Sequence, residues 1–291
     1  MTKQVPIDDS AVVDGVDEDG LHQITNDLAY KRLAMVNVAY FGTPVGAQAS
    51  NARWVLIDAG LPGMAGMITK TADRHFGERK PPAAIILTHG HVDHVGALED
   101  LAEQWDVPIY AHELELPYLN GTKSYPPPDP SVGGGLMSLT SSFFSRGPID
   151  VSPWLRTLPA DGAVPGMPGW RWIHTPGHTT GHVSLWRSDD KTLIAGDAFI
   201  TTKQESAYAV ATQRPELHGP PMYFTPDWDS ARESVRRLSA LAPELVVTGH
   251  GRPLRGEEMR SALATLARDF DQVAVPRHGK YVERESPRPA P

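Results

Sequence analysis

The chain alternates between short, continuous apolar runs and longer stretches in which apolar residues recur at helical spacing. Ala83-Ala84-Ile85-Ile86-Leu87 is apolar throughout, as expected of a strand buried on both faces. Strand-like runs also occupy residues 32–41, 53–57, 108–111, 170–174, 183–187, 192–195 and 244–248. Within residues 63–76, Met64, Met67, Ile68, Thr71 and Ala72 fall on one helical face. Residues 95–105 and 257–273 also read as helices. In residues 229–242, Asp229 can cap a helix whose buried face carries Ala231, Val235, Leu238 and Leu241. Strand, loop, helix, strand is a βαβ rhythm, and this pattern alone predicts a mixed α/β domain.

Three stretches break the rhythm. Residues 8–20 are acidic, and residues 1–20 read as a loose lead-in. The tail, residues 276–291, is rich in proline and charge and also reads as loose. Residues 119–153 form a long connection without clear period. It holds Pro126-Pro127-Pro128, Gly133-Gly134-Gly135 and the apolar Leu136, Met137, Leu139, Phe143 and Phe144. A segment of that composition needs an apolar surface to lie on, so residues 119–147 are expected to form a lid with some helix in it; packing between subunits is the alternative. There is no short-period repeat and no dividing linker, which predicts one domain over residues 1–291.

Composition narrows the chemistry. Hydrophobic residues make up 40% of the 291 and charged residues 21%, enough for a sizeable core and too apolar for global disorder. The net charge of -8 offers no basic footprint, so no nucleic-acid partner is expected. The chain has no cysteine. That excludes disulfides, thiolate metal ligands and a cysteine nucleophile, and any metal must be held by His, Asp and Glu. The first nine residues lack the charged-then-apolar pattern of a leader. No apolar run approaches the roughly 18 residues of a membrane span. The expectation is a cytoplasmic enzyme with a small-molecule substrate and no membrane partner, with a homodimer left open.

The apolar run 83–87 delivers the chain into Thr88-His89-Gly90-His91-Val92-Asp93-His94. A strand end can project several side chains into one concave site, and imidazole with carboxylate suits zinc, iron or manganese. The alternative is a polar loop that happens to be rich in histidine, which the H-x-H-x-D-H spacing disfavours. This spacing resembles the metallo-β-lactamase superfamily. Further motifs follow in the family's order: His178 in His174-Thr175-Pro176-Gly177-His178-Thr179-Thr180-Gly181-His182, Asp197 after the strand at 192–196, and His250 in Gly249-His250-Gly251 after the strand at 245–248. The likeness covers roughly residues 30–255.

The resemblance implies a four-layered αββα sandwich with the site at one edge. It implies one metal at His89, His91 and His178, a second at Asp93, His94 and His250, and Asp197 bridging them. Two divalent cations, zinc first with iron or manganese as options, would then activate a water or hydroxide between them as nucleophile. The leaving group can take its proton from water or from Asp93. A bridging aspartate resembles the branch that includes glyoxalase II, lactonases and many esterases and phosphodiesterases. The expected reaction is hydrolysis of a small ester, thioester or lactone-like substrate. The alternatives are phosphodiester hydrolysis at the same metals, or a mononuclear-iron persulfide dioxygenase using His89, His91 and His178 with Asp197.

The sequence also departs from these relatives. Lactonases with similar metal motifs place a tyrosine three residues after the bridging aspartate, where this chain has Ile200. The basic residues with which glyoxalase II meets glutathione find no clear match in Arg252, Arg255 or Lys280. Residues 201–206 and 219–228 resemble a bacterial subgroup of the superfamily, a likeness that brings no substrate with it. Of the remaining histidines, His182 reads as an orienting or packing residue. His22, His75, His112, His174, His218 and His278 read as ordinary. Asp58 either hydrogen-bonds a ligand histidine or caps its loop. Lys203, Tyr208 and Tyr223 either contact substrate or pack.

Overall fold

Strands buried on both faces need two different cores, and their side chains alternate between them. The computed structural model describes residues 5–13, 20–46 and 53–282, and the alternation is plain in it. Val55 and Ile57 point into one core and Leu56 into another. Ala84 and Ile86 part from Ile85 and Leu87 in the same way, as Ile194 does from Leu193 and Ala195.

The chain opens with β1 (Val5–Pro6) and then builds a first sheet. This contains β2 (Leu21–Thr25), β3 (Leu28–Leu33), β4 (Val36–Phe41), β5 (Val55–Ile57), β6 (Ala84–Ile86), β7 (Ile109–Ala111) and β8 (Leu155–Thr157), in sequence order across the sheet. From β2 to β5 neighbours are antiparallel; from β5 to β8 they are parallel. The parallel half needs crossovers. Helices α1 (Ala65–Phe76), α2 (Val92–Val95) and α3 (Leu98–Trp105) provide them, followed by α4 (Leu116–Leu119) and α5 (Leu136–Thr140).

The second sheet has β9 (Trp170–His174), β10 (Val183–Arg187) and β11 (Thr192–Gly196). After α6 (Ala207–Thr212) and β12 (Glu216–Leu217), helix α7 (Trp228–Ala240) leads to β13 (Leu245–Thr248) and β14 (Leu254–Arg255). The order is β14-β13-β11-β10-β9, with β11 and β13 parallel. Helices α8 (Gly256–Arg268) and α9 (Phe270–Val273) end the regular structure.

Three apolar clusters fill the spaces between four layers. One packs Ile68, Ala72, Phe76, Leu98 and Leu101 of α1 and α3 on the outer face of the first sheet. One joins the two sheets through Phe41, Ile57, Ile86, Leu185 and Val247. One packs Val235, Leu238, Leu263 and Leu266 of α7 and α8 on the outer face of the second sheet. The fold is the expected αββα sandwich. No helix among the described residues is long and apolar enough to cross a membrane.

Several expectations need correction. Residues 32–41 are not one strand: β3 and β4 form a hairpin through a two-residue turn at Ala34-Met35, with Ala34 at φ 57°. Neither residue is a usual turn former, so the sequence shows no break there. Residues 5–13, expected within a loose lead-in, instead dock on the second half of the chain: β1 pairs with β12, and Val13 N donates to Pro253 O. Residues 1–4 and 14–19 lie outside the described residues. In the tail, residues 276–282 are also docked, with Lys280 N donating to Asp129 Oδ2 and Tyr281 Oη to Pro127 O; residues 283–291 lie outside the described residues.

Residues 119–147 divide. Tyr125 is buried and Pro126 and Pro127 lie beside His91, whereas Leu136 and Leu139 remain 61% and 64% exposed. Gly135 runs so close to the Glu205 carbonyl that a Cβ there would lie 1.8 Å from its oxygen. The side chain of Phe143 lies outside the described residues.

Candidate metal centre

The sandwich brings four chain segments to one edge. The C-terminal end of β6 leads to His89, His91, Asp93 and His94, that of β11 to Asp197, and that of β13 to His250. The connection from β9 to β10 supplies His178. All seven residues named from the sequence converge. The ligand atoms of His89, His91 and His178 lie within 4.8 Å of one another, as do those of Asp93, His94 and His250. The same holds for His89, His94 and Asp197, so Asp197 stands between the two triads. Its Oδ2 is 3.5 Å from His178 Nε2 and 3.1 Å from His250 Nε2, and its Oδ1 is 3.6 Å from His94 Nε2. Asp93 Oδ2 is 3.3 Å from His250 Nε2.

The imidazoles are aimed by bonds at their other nitrogen. His94 Nδ1 is 2.8 Å from Asp58 Oδ2, His250 Nδ1 is 2.7 Å from Met35 O, and His178 Nδ1 is 3.2 Å from Thr225 Oγ1. His89 Nδ1 is 3.1 Å from Thr88 Oγ1. Each therefore presents Nε2 to the centre. His91 presents Nδ1 instead, 2.9 Å from His178 Nε2. Locking the outer nitrogen fixes the tautomer and the ring plane, as metal ligands require.

Three of the inward atoms make no hydrogen bond. His89 Nε2, His94 Nε2 and Asp197 Oδ1 are fully buried and accept or donate no hydrogen bond. Three orphaned polar atoms facing one another would be costly in a closed core. A cation satisfies all of them, so the donor set fits the divalent metals that the sequence implied. Cβ-less Gly249 keeps the space open: a Cβ there would lie 2.1 Å from Asp197 Oδ1.

Electrostatics follow from burial and charge. Burial lowers His91 to about 4, and it lowers His89 and His178 further below their ordinary range with help from neighbouring imidazoles. Burial acts the same way on His250, but the Asp197 and Asp93 carboxylates outweigh it and push His250 up to about 10. His94 is also raised, because Asp197, Asp58 and Asp93 overcome its burial. Burial alone would raise Asp197 and Asp93; the facing His250 and His94 hold both below the usual carboxylate range. The cluster thus keeps its carboxylates ionised and His89, His91 and His178 neutral, as metal binding needs, whereas the raised His94 and His250 hold protons that a cation would displace.

Around this set, His182 plays the orienting role expected of it: its Nε2 accepts from Asp197 N at 2.9 Å, and its Nδ1 lies 2.8 Å from Thr175 Oγ1. Asp58 holds the loop as well as His94, accepting from Thr88 N and Thr88 Oγ1 at 2.8 Å each. None of His22, His75, His112, His174, His218 or His278 belongs to the groups that could hold a metal among the described residues. Tyr208 is 77% exposed, whereas Tyr223 is buried and within reach of the charges of Asp93 and Asp197.

Sequence reasoning missed Glu115. Fully buried, it accepts from Gly90 N at 3.0 Å, from Gly181 N at 2.8 Å, from Thr179 Oγ1 at 2.7 Å and from Tyr125 Oη. One carboxylate so ties the loop of His89 and His91 to the loop of His178. Its only trace in the sequence is an acidic residue among apolar ones in Leu114-Glu115-Leu116-Pro117. Beside it a narrow slot reaches His91 and His178, lined mainly by aromatic and proline rings with Thr179 and Thr180, and among the described residues no Lys or Arg lines it.

Comparison with known proteins agrees with this geometry. A model of the family described as "Metallo-beta-lactamase superfamily" matches residues 44–250. "Probable metallo-hydrolase YflN" of Bacillus subtilis is 50% identical over 220 residues, 76% of this chain and 83% of that protein. "Probable metallo-hydrolase YybB" of the same organism is 31% identical over 65% of this chain and 73% of its own length. Among solved structures, a beta-lactamase domain protein from Burkholderia ambifaria aligns with a TM-score of 0.61 at 22% identity, over 89% of this chain and 77% of that one. TTHA1623, solved in a di-iron-bound form, aligns with a TM-score of 0.51 at 24% identity, over 79% of this chain and 92% of that one. At these identities the structural matches speak to fold alone.

Proposed function

The chain belongs to the metallo-beta-lactamase superfamily and is a metal-dependent hydrolase, and from that premise we propose that it cleaves a small ester, thioester or lactone-like bond at a two-metal centre. His89, His91 and His178 would hold one cation, Asp93, His94 and His250 would hold the other, and Asp197 stands where it could serve both. Zinc suits this all-nitrogen-and-oxygen set, and iron or manganese does too. The observation that carries the reading is the convergence of two complete triads on the orphaned atoms of His89, His94 and Asp197.

When bound there, divalent cations would supply an acidified water able to attack near neutral pH and polarisation of the bond under attack. The residues do the rest. Asp197 offsets the repulsion between two like charges with its own. Asp93, whose side chain is 20% exposed at the rim of the centre, is ionised and placed to take a proton and pass it to the leaving group. Among the described residues no Lys or Arg lines the slot at His91, which favours a carbonyl substrate over a phosphodiester.

Metal-replete protein assayed against p-nitrophenyl acetate, an acyl thioester, a γ-lactone and bis(p-nitrophenyl) phosphate tests this. The expected outcome is kcat/KM for a carbonyl substrate at least about tenfold above the phosphodiester, the scale of one substantial pocket preference. A phosphodiester preference, or one iron per chain with oxygen consumption, would replace the reading with one of the two alternatives.

A further inference from the structure

We propose that the slot against His91 and His178 seats a small, flat, apolar group of the substrate, of the aryl or compact acyl class, and that Tyr281 in the C-terminal tail is its specificity-determining wall. The reading of what is cleaved rests on the hydrolase proposal above; the reading of what is bound rests on the slot itself.

The inner walls are rigid rings. The His91 imidazole lies between Tyr125, with centroids 4.5 Å apart, and Phe224, at 4.8 Å. Tyr125 is stacked on Tyr118 at 4.0 Å and 10°. Its hydroxyl is held by Gly90 N and Glu115, so the ring cannot swing outward. Pro126 and Pro127 continue the wall with locked backbone. Parallel and edge-on rings at these spacings favour a flat apolar guest. The lining contains no charged side chain other than what His91 and His178 can carry, so a guest with its own charge would be desolvated there without a partner.

The outer wall is of a different kind. Tyr281 belongs to no helix or strand, and it closes the slot by donating its hydroxyl to Pro127 O at 2.5 Å. The preceding Lys280 donates its backbone N–H to Asp129, and its ammonium lies 5.1 Å from the centre of the Tyr281 ring. The tail is thus laced to residues 127–129 by two hydrogen bonds, each between a backbone group and a side chain. With Tyr281 in place the cavity is about 40 Å³, far below the roughly 300–1,000 Å³ of a typical ligand pocket. A compact ring slides between the aromatic walls with small adjustments. A long acyl chain enters only if Tyr281 leaves its tether. Tyr281 therefore ranks substrates by the size and flatness of the group next to His91.

The experiment uses full-length, metal-replete protein with Tyr281→Ala and Tyr281→Phe. Its kinetic readout is kcat/KM for p-nitrophenyl benzoate against p-nitrophenyl octanoate, which share a leaving group. Its second readout is the calorimetric dissociation constant for benzoate against octanoate. Wild type is expected to favour the benzoyl compound by about tenfold in each, the scale of a good aromatic contact. Tyr281→Ala should collapse both ratios to within about threefold while metal content is kept, and Tyr281→Phe should keep most of the preference because it keeps the ring. Tyr281→Leu gives the same readout if the alanine variant does not fold. Turnover with both ratios unchanged in Tyr281→Ala overturns the slot and leaves the hydrolase standing. Binding ratios that move without any ester or thioester turnover overturn the hydrolase and leave the slot standing.

Discussion

Asp58 Oδ2 lies 2.8 Å from His94 Nδ1, while Asp58 Oδ1 accepts the backbone N–H of Thr88 at 2.8 Å. One carboxylate at the end of β5 so aims the His94 imidazole at the centre and anchors the loop that carries it. Asp58→Asn keeps the shape but loses the charge that fixes the His94 tautomer. Metal affinity should fall by roughly 10–100-fold, the usual loss when such an outer partner is changed. A chelator competition measures it, with the melting temperature of the metal-free protein as a control. Unchanged affinity would mean that Asp58 serves the loop alone.

Asp197→Ala tests the bridge. Without that carboxylate two cations at these triads would repel one another unshielded, and His250 and His94 lose the Asp197 carboxylate that faces them. Elemental analysis should show fewer metals than the two per chain expected of wild type, and turnover should drop by orders of magnitude. Activity within a few-fold of wild type at full metal content would show that Asp197 bridges nothing.

Glu115→Ala removes one acceptor from four donors: Gly90 N, Gly181 N, Thr179 Oγ1 and Tyr125 Oη. Each buried donor left alone costs about 1–3 kcal/mol. Even with partial relaxation the total should reach about 3 kcal/mol, lowering the melting temperature by about 6–12 °C for a chain of this size. Calorimetric melting of metal-free protein checks it, since metal would mask the difference. A change of about one degree or less would show that the two loops hold their places without Glu115.

Metal binding should release protons. In the metal-free protein His250 is raised to about 10 and His94 is also raised, both through Asp197 and Asp93. These ion pairs stabilise the metal-free fold fully below the unfolded histidine value of about 6.5, and that contribution is lost as pH rises through about 10. At neutral pH a cation must therefore displace at least one proton, whereas His91, lowered to about 4, has none to give. Affinity should weaken about tenfold per pH unit per proton as pH falls from about 8 to about 6. Titration calorimetry in buffers of different ionisation enthalpy counts the protons. A release of zero would mean that the imidazoles are neutral before metal arrives.

Much of the site was legible because its residues come in short, ordered motifs. His89, His91, Asp93 and His94 occupy six positions after one apolar run, and the run itself announces a buried strand. His178, Asp197 and His250 each follow a strand or turn whose apolar pattern is equally clear. Glu115 was not legible, because a single acidic residue carries no spacing; only the meeting of two loops gives it four donors to accept from. The turn at Ala34-Met35 was hidden for a related reason, since no residue there prefers a left-handed backbone and the pairing of β3 with β4 imposes it.

The sequence by itself determined a mixed α/β domain and the exclusion of thiolate chemistry, which follow from residue type and period and are local. The layered sandwich and the seven side chains that gather at the centre were implied by the resemblance that its ordered motifs carry. Tertiary structure alone decided which nitrogen each imidazole presents, which atoms stand unpartnered, and that a tail rich in proline and charge closes the slot through Tyr281. These depend on contacts between residues far apart in the chain, such as His250 with Met35 and Tyr281 with Pro127. Such contacts arise only when packed layers bring distant segments together, so no local pattern encodes them.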